Sequence, residues 1–98
     1  MATTEQIEEL RHKMSALLMD TSEEKPIECW IPIEPEGTFG LSTNDMLKVC
    51  KVFQQPSEGI IWLRLYGDDD YIEFDDFIEI YGYEVMESVY NELVEQLT

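Results

Sequence analysis

The chain has 98 residues, a hydrophobic fraction of 44% and a formal net charge of -16, from 22 acidic and 6 basic residues. This length fits one domain, so we treat residues 1–98 as a single acidic domain and exclude a multidomain architecture. The apolar content excludes a disordered acidic tail. The net charge repels nucleic acid and anionic membranes and attracts basic proteins.

The negative charge is concentrated in the second half of the chain. Residues 1–53 hold ten acidic and five basic residues, whereas residues 54–98 hold twelve acidic residues and Arg64. The segment LYGDDDYIEFDDFIEIYGYE, 65–84, contains neither lysine nor arginine. We therefore expect its carboxylates to be unpaired. Because such self-repulsion destabilises the compact state, we also expect these charges to have a role, either in binding a partner or only in keeping the protein soluble.

The remaining composition favours a soluble protein with a cytoplasmic location, in the producing cell or in a host cell. Cys29 and Cys50 lack the close spacing of a zinc or redox motif, so reduced thiols are expected. The N-terminus MATTEQIEEL has no apolar targeting stretch. No apolar run approaches the roughly 18 residues that span a bilayer.

The N-terminal residues predict a helix. Thr3 and Gln6 have the spacing of a capping box. Apolar residues then fall within about 100° of the helical wheel: Ile7, Leu10, Met14, Leu17 and Leu18. We predict a helix over residues 4–19 and a loop over residues 20–26.

The middle of the chain predicts a strand and a short helix. Residues 27–33 alternate between apolar and other positions. Pro32 lacks an amide hydrogen, so this strand should lie at a sheet edge or end early. The sequence EPEGTFG, 34–40, indicates a turn. Apolar residues then recur at helical spacing and predict a helix over 43–53: Met46, Leu47, Cys50 and Phe53.

The C-terminal half predicts an acidic hairpin and an amphipathic helix. IIWLRLY, 60–66, and YIEF, 71–74, are rich in β-favouring residues and flank an acidic turn. From Tyr83 onward, apolar residues fill one half of the helical wheel. This pattern breaks near Gly82, so DDFIEIY must be a separate short element. Together the elements predict an α+β domain with a short antiparallel sheet.

The chain lacks the motifs of the common enzyme classes. It has no glycine-rich phosphate loop, no nucleophile elbow, and one histidine, which is too few for a typical zinc site. Adjacent carboxylates such as Asp75 and Asp76 could in principle act as acid and base, but on an exposed turn they are usually hydrated. We therefore predict a protein that is not an enzyme and that needs no cofactor or metal.

A second interpretation comes from three segments in order, TTEQIEELRHKM, EGTFGLSTNDML and DDDYIEFDDFIEIY. They resemble the opening helix, a first loop and a second loop with its exiting helix in a calmodulin-like EF-hand lobe. This resemblance implies an all-α fold that binds an amphipathic basic helix. It would make Phe39 and Ile72 the apolar residues of the β-bridge between loops, and Asp76 the equivalent of the bidentate glutamate.

Other positions of the second loop differ from the EF-hand pattern. Leu65 and Gly67 would occupy ligand positions, and Asp70 would replace the glycine of the sharp turn. The first loop would carry the insertion KPIECWIPIEP and no series of ligands. The resemblance therefore implies weak calcium binding or none.

The acidic segments themselves predict a binding surface. Carboxylates on alternate strand residues lie about 6.6–6.8 Å apart, and those three or four apart on a helix about 5–6 Å, which is comparable to phosphate spacing along nucleic acid. A domain of this kind could occupy a basic nucleic-acid channel. The predicted partner-binding residues are Asp68, Asp69, Asp70, Tyr71, Glu73, Asp75, Asp76, Glu79, Glu84, Glu87, Glu92 and Glu95.

In size and charge the chain resembles the small acidic inhibitors with which phages block restriction or CRISPR machinery, and bacterial immunity proteins. This resemblance implies stoichiometric inhibition of a basic partner, expected to be a nucleic-acid-binding protein, by a DNA mimic that acts as a monomer or homodimer. It implies neither direct nucleic-acid binding nor membrane binding. Interleaved tyrosines would add contact area, although ordinary packing of the hairpin against helices explains any single one of them better.

Overall fold

The computed structural model describes residues 2–33 and 47–97. These residues form a small α+β domain, as predicted from the sequence. In chain order the elements are α1 (Thr4–Leu17), β1 (Ile27–Ile33), β2 (Leu47–Gln54), β3 (Ile61–Leu65), β4 (Ile72–Glu73), α2 (Phe74–Tyr81) and α3 (Tyr83–Leu97). The predicted turn at 34–40, with Phe39, and the start of the predicted helix at 43–46 lie outside the described residues.

Helix α1 begins at the predicted capping box. The Thr3 hydroxyl accepts a hydrogen bond from the Gln6 amide at 3.1 Å, and the Gln6 side chain accepts one from the Thr3 amide at 2.9 Å. The helix ends at Leu17, two residues before the predicted end. Leu10 and Met14 are buried on its inner face. The capping box and the apolar stripe therefore set both the start and the orientation of α1.

The four strands form one antiparallel sheet in the order β1-β2-β3-β4. This order leaves β1 at an edge, as predicted from Pro32. The side chains of Ile61, Leu63 and Leu65 alternate with Trp62 and Arg64, so the first three point to one face and the other two to the opposite face. The sheet therefore has an inner face, which carries Leu63, and an outer face, which carries Trp62.

The helix predicted over 43–53 is wrong, because residues 47–54 form β2. The pairing between β2 and β3 shifts by one residue between Val49 and Lys51, which is a β-bulge. The bulge leaves Val49 and Val52, three positions apart, buried together on the inner face. The predicted helix was based on a different set of residues, Met46, Leu47, Cys50 and Phe53, and helical spacing over so short a segment does not exclude a strand.

The C-terminal half follows the prediction closely. The hairpin pairs β3 with β4, and residues 74–81 form the separate short element as helix α2. Gly82 ends α2 with its amide bonded to the Ile78 carbonyl at 2.8 Å and a φ of 104°, a conformation that favours glycine. The chain then turns into α3 at Tyr83, where the apolar pattern changes phase.

One core joins the three helices to the inner face of the sheet. Its buried side chains come from every helix and from the first three strands: Leu10, Met14, Leu18, Ile31, Val49, Val52, Ile61, Leu63, Leu65, Phe74, Phe77, Val85, Met86, Val89 and Leu93. Phe53 is also buried, but it lies outside this cluster. Phe53 pairs with Trp62 across the strands, which places it on the outer face.

The four-stranded sheet contradicts the all-α alternative. Leu65, which an EF-hand reading would place at the first ligand position, is the buried last residue of β3. Ile72 does lie in a short strand, but it pairs with Leu63 of the same hairpin and not with a second loop. Asp76 lies exposed in the first turn of α2. The calmodulin-like interpretation is therefore wrong for this fold.

Candidate functional site

The predicted acidic surface lies on the connection between β3 and β4 and on helices α2 and α3. Its residues divide into a loop–α2 group and an α3 group. The loop–α2 group contains Asp68, Asp69, Asp70, Tyr71, Glu73, Asp75, Asp76 and Glu79, and the α3 group contains Glu84, Glu87, Glu92 and Glu95. All of these side chains are exposed except Tyr71 and Glu73, which are half-buried. The predicted residues are therefore available to a partner.

Helix α2 carries acids on one side and core residues on the other. Phe74 and Phe77 are buried, while Asp75, Asp76 and Glu79 are exposed. Two of these acids lie in the first turn, where a negative charge also stabilises the positive end of the helix dipole. The apolar residues between the acids thus anchor the acidic surface to the core.

The expectation that no basic residue compensates this segment is wrong for Asp75. Arg11 of α1 donates a hydrogen bond to the Asp75 carboxylate and another to Glu8, and its guanidinium lies 5.1 Å from the centre of the Phe74 ring. The hydrogen bond from Arg11 lowers the pKa of Glu8. Arg11 precedes Asp75 by 64 positions in the sequence, so only the tertiary structure reveals this compensating charge.

The other ion pairs among the described residues lie away from the acidic surface. Lys13 pairs with Glu9 at 3.6 Å on α1, and Lys51 pairs with Glu28 at 3.7 Å across β1 and β2. Within residues 2–33 and 47–97, Asp75 is thus the one member of the surface in an ion pair. The remaining carboxylates face solvent with their charge uncompensated by this part of the chain.

The charge of the acidic loop acts on Tyr81, at the end of α2. Burial of the Tyr81 side chain, at the end of α2, raises the pKa of its phenol, and the negative charge of Asp68 raises that pKa further. The Tyr81 ring also packs on Phe77, with 4.9 Å between ring centres.

The α3 group occupies the side of its helix opposite the core. Val85, Met86, Val89 and Leu93 are buried, and Glu84, Glu87, Glu92 and Glu95 are exposed. Helix α3 packs against α1, α2 and β1. No hydrogen bond or ion pair joins these glutamates to the acidic loop within the described residues. Both groups are carried by elements that pack on the same core.

A groove of about 660 Å³ lies on the outer face of the sheet. Three aromatic side chains line it, Phe53, Trp62 and Tyr71, and the Phe53 and Tyr71 rings meet edge to face with 4.8 Å between centres. The Trp62 indole donates a hydrogen bond to the Gln55 side chain at 3.3 Å. The carboxylates that line the groove belong to Glu23, Glu24 and Asp70.

The groove shares only Asp70 and Tyr71 with the predicted surface. Its other lining residues come from the loop after α1 and from β2 and β3, which are distant in sequence. One signal in the sequence could have indicated the groove. Trp62 lies at an outward-facing position of a strand whose alternate residues are buried. Phe53 gave no such signal, because the bulge in β2 hid the strand pattern.

The described residues contain neither a cluster that could hold a metal ion nor a helix that could span a membrane. Within residues 2–33 and 47–97, no group of three His, Cys, Asp or Glu side chains could hold a metal ion. None of the helices in the same ranges combines the length and hydrophobicity needed to cross a membrane. Comparisons with protein-family models, curated proteins and solved structures gave no match.

Proposed function

We propose that the protein binds a basic, nucleic-acid-binding protein and inhibits it stoichiometrically by presenting carboxylates in place of phosphates. The single observation that carries this proposal is the exposure of the acidic loop and helix faces. Their carboxylates, apart from Asp75, lack an ion pair within the described residues. Such a surface attracts a basic partner and accelerates its association.

The mode of binding follows from the rigidity of this surface. Phe74, Phe77 and the β3–β4 pairing fix the backbone that carries the loop–α2 group. Preorganised charges bind a basic channel with less loss of conformational entropy than a disordered acidic tail. The role is that of a DNA mimic, similar in size and charge to phage anti-restriction and anti-CRISPR inhibitors or to immunity proteins. The interaction requires no catalysis.

The test begins with capture of partners on immobilised protein from a bacterial lysate at low salt. A retained protein is purified, and its DNA or RNA binding is measured as this protein is added. We expect nucleic-acid binding to be lost at one equivalent and restored at high salt. Capture of no nucleic-acid-binding protein, or of one that keeps its DNA and RNA binding, would overturn the proposal.

Two variants with equal charge separate the site from the net charge. The triple variant Asp68→Asn, Asp69→Asn, Asp70→Asn removes three charges from the acidic loop. A control variant, Glu5→Gln, Asp20→Asn, Glu58→Gln, removes three exposed charges elsewhere. We expect the loop variant to weaken partner binding by about tenfold or more and the control to change it by about twofold or less. If the two variants weakened partner binding equally, the loop would contribute only its share of the net charge.

A further inference from the structure

The groove on the outer face combines an aromatic floor with an acidic rim. Phe53, Trp62 and Tyr71 provide ring faces and edges, while Glu23, Glu24 and Asp70 are exposed at its border. The helices and the core occupy the opposite face of the sheet. A purely apolar site would take an apolar ligand, but carboxylates beside aromatic rings favour a cation that also has flat apolar surface.

The walls of the groove are held in place by hydrogen bonds. The Thr21 hydroxyl donates to the Leu18 carbonyl at 2.6 Å and accepts from the Gln54 amide at 2.9 Å, which fixes the loop after α1 against β2. The Gln55 amide donates to the Ile60 carbonyl at 2.8 Å, which closes the β2–β3 turn. The groove is therefore preformed, and a ligand need not order it.

We propose that this groove binds an arginine side chain, with its flanking backbone, from a basic protein partner. The planar guanidinium can stack on an aromatic ring while its N–H groups donate to neighbouring carboxylates, and a lysine ammonium cannot make the stacked contact. The volume of about 660 Å³ accommodates the side chain and adjacent backbone. This inference rests on the proposed function in one respect, that the partner is a basic protein.

The chain itself places cations over its aromatic rings. The guanidinium of Arg11 lies 5.1 Å from the Phe74 ring centre, and that of Arg64 lies 6.0 Å from the Tyr71 ring centre. The positive charge of Arg64 repels a second cation near Tyr71. Arg64 does not line the groove, however, whereas three carboxylates do. The net charge of the lining therefore favours a cationic guest.

The experiment uses the full chain and a probe of defined chemistry. The acetylated, amidated peptide Gly-Gly-Arg-Gly-Gly is titrated into labelled protein, and the indole N–H resonance of Trp62 is followed by NMR, with Trp62→Phe used for its assignment. Peptides with lysine or with neutral citrulline in place of arginine are the matched probes. We expect saturable shifts at Trp62, with arginine bound about fivefold more tightly than citrulline and more tightly than lysine.

Variants at the rim test the charge. Glu23→Gln with Glu24→Gln removes two exposed carboxylates from the groove, and Asp20→Asn with Glu58→Gln removes two exposed carboxylates that do not line it. We expect the rim variant to weaken the arginine peptide by about fivefold and the control to leave it within about twofold. Equal binding of arginine and citrulline peptides, or no shift at Trp62, would overturn the proposal.

The outcome for the groove is distinguishable from that for the acidic loop. The double variant Asp68→Asn, Asp69→Asn serves as the loop variant here, because it leaves Asp70 of the groove lining unchanged. If the arginine peptide fails to bind while this loop variant still loses its partner, the groove proposal alone is wrong. If the peptide binds with the expected selectivity but the loop variant keeps full inhibition, the charge-mimic proposal alone is wrong. The peptide titration does not require the partner, so each result is independent of the other.

Discussion

The guanidinium of Arg11 in α1 binds the carboxylate of Asp75 in the first turn of α2, across 64 positions of sequence. The same guanidinium binds Glu8 and lies over the Phe74 ring. Arg11 therefore links the N-terminal helix to the acidic surface at the point where that surface is anchored to the core. The link lowers the net charge of the loop–α2 group without covering its exposed carboxylates.

A double-mutant cycle of Arg11→Met and Asp75→Asn measures this link. The Arg11 and Asp75 side chains are 26% and 58% exposed, so solvent screens the pair, and we expect a coupling free energy of about 0.2–1 kcal/mol. The coupling should decrease in high salt. Denaturant unfolding provides the measurement. Asp76→Asn, in the same helical turn, is the control, and a coupling of Arg11 to Asp76 as large as that to Asp75 would contradict the assigned pair.

Thr21 is the buried hydroxyl that joins the loop after α1 to the sheet. Thr21→Val keeps the shape of the side chain but leaves the Gln54 amide without its acceptor. We expect a loss of about 1–3 kcal/mol in the free energy of unfolding, measured with denaturant. Thr21→Ser retains the hydroxyl and should recover most of that loss. Equal destabilisation by valine and serine would contradict the assignment of the loss to the hydroxyl, because serine retains it.

Helix α2 offers a matched pair of apolar residues for testing the core. Phe77 is fully buried and Ile80 is 63% exposed. We expect Phe77→Ala to lower the free energy of unfolding by about 3–5 kcal/mol because it leaves a cavity. Ile80→Ala should change it by about 0.5 kcal/mol or less. Thermal or denaturant unfolding distinguishes the two, and similar losses would contradict the packing of α2.

The Tyr81 phenol connects stability at alkaline pH to the acidic loop. Burial raises its pKa in the folded protein, and Asp68 adds to the shift, so its contribution to stability is complete below the unfolded pKa of about 10. That contribution is lost as the pH rises from about 10 through the higher folded pKa. Raising the pH through this window should therefore lower the free energy of unfolding of the parent chain more than that of Tyr81→Phe.

The contribution of Asp68 to this pKa can be measured directly. Asp68→Asn removes the nearby negative charge and should lower the pKa of Tyr81, as followed by NMR titration of the tyrosine ring. Burial remains, so the pKa should stay above its ordinary value. Asp69→Asn provides the control with the same loss of net charge. An equal decrease in both variants would show that the effect is a property of the total charge.

Local patterns in the sequence determined most of the elements. The Thr3 and Gln6 pair set the start of α1, and the change of phase at Gly82 separated α2 from α3. The exposure of the acidic residues also followed from the helical wheels. These features depend on neighbours within a few residues, so the sequence contains all the information that they require.

Only the tertiary structure decided β2, the Arg11–Asp75 pair and the groove. The short apolar pattern over 43–53 also fits a helix, and the identity of β2 as a strand depends on its pairing with β1 and β3. Arg11 meets Asp75 because α1 and α2 both pack on the shared core. Likewise Phe53, Trp62 and Tyr71 meet only because strand pairing brings them together. Contacts between distant residues follow from packing, which local periodicity does not encode.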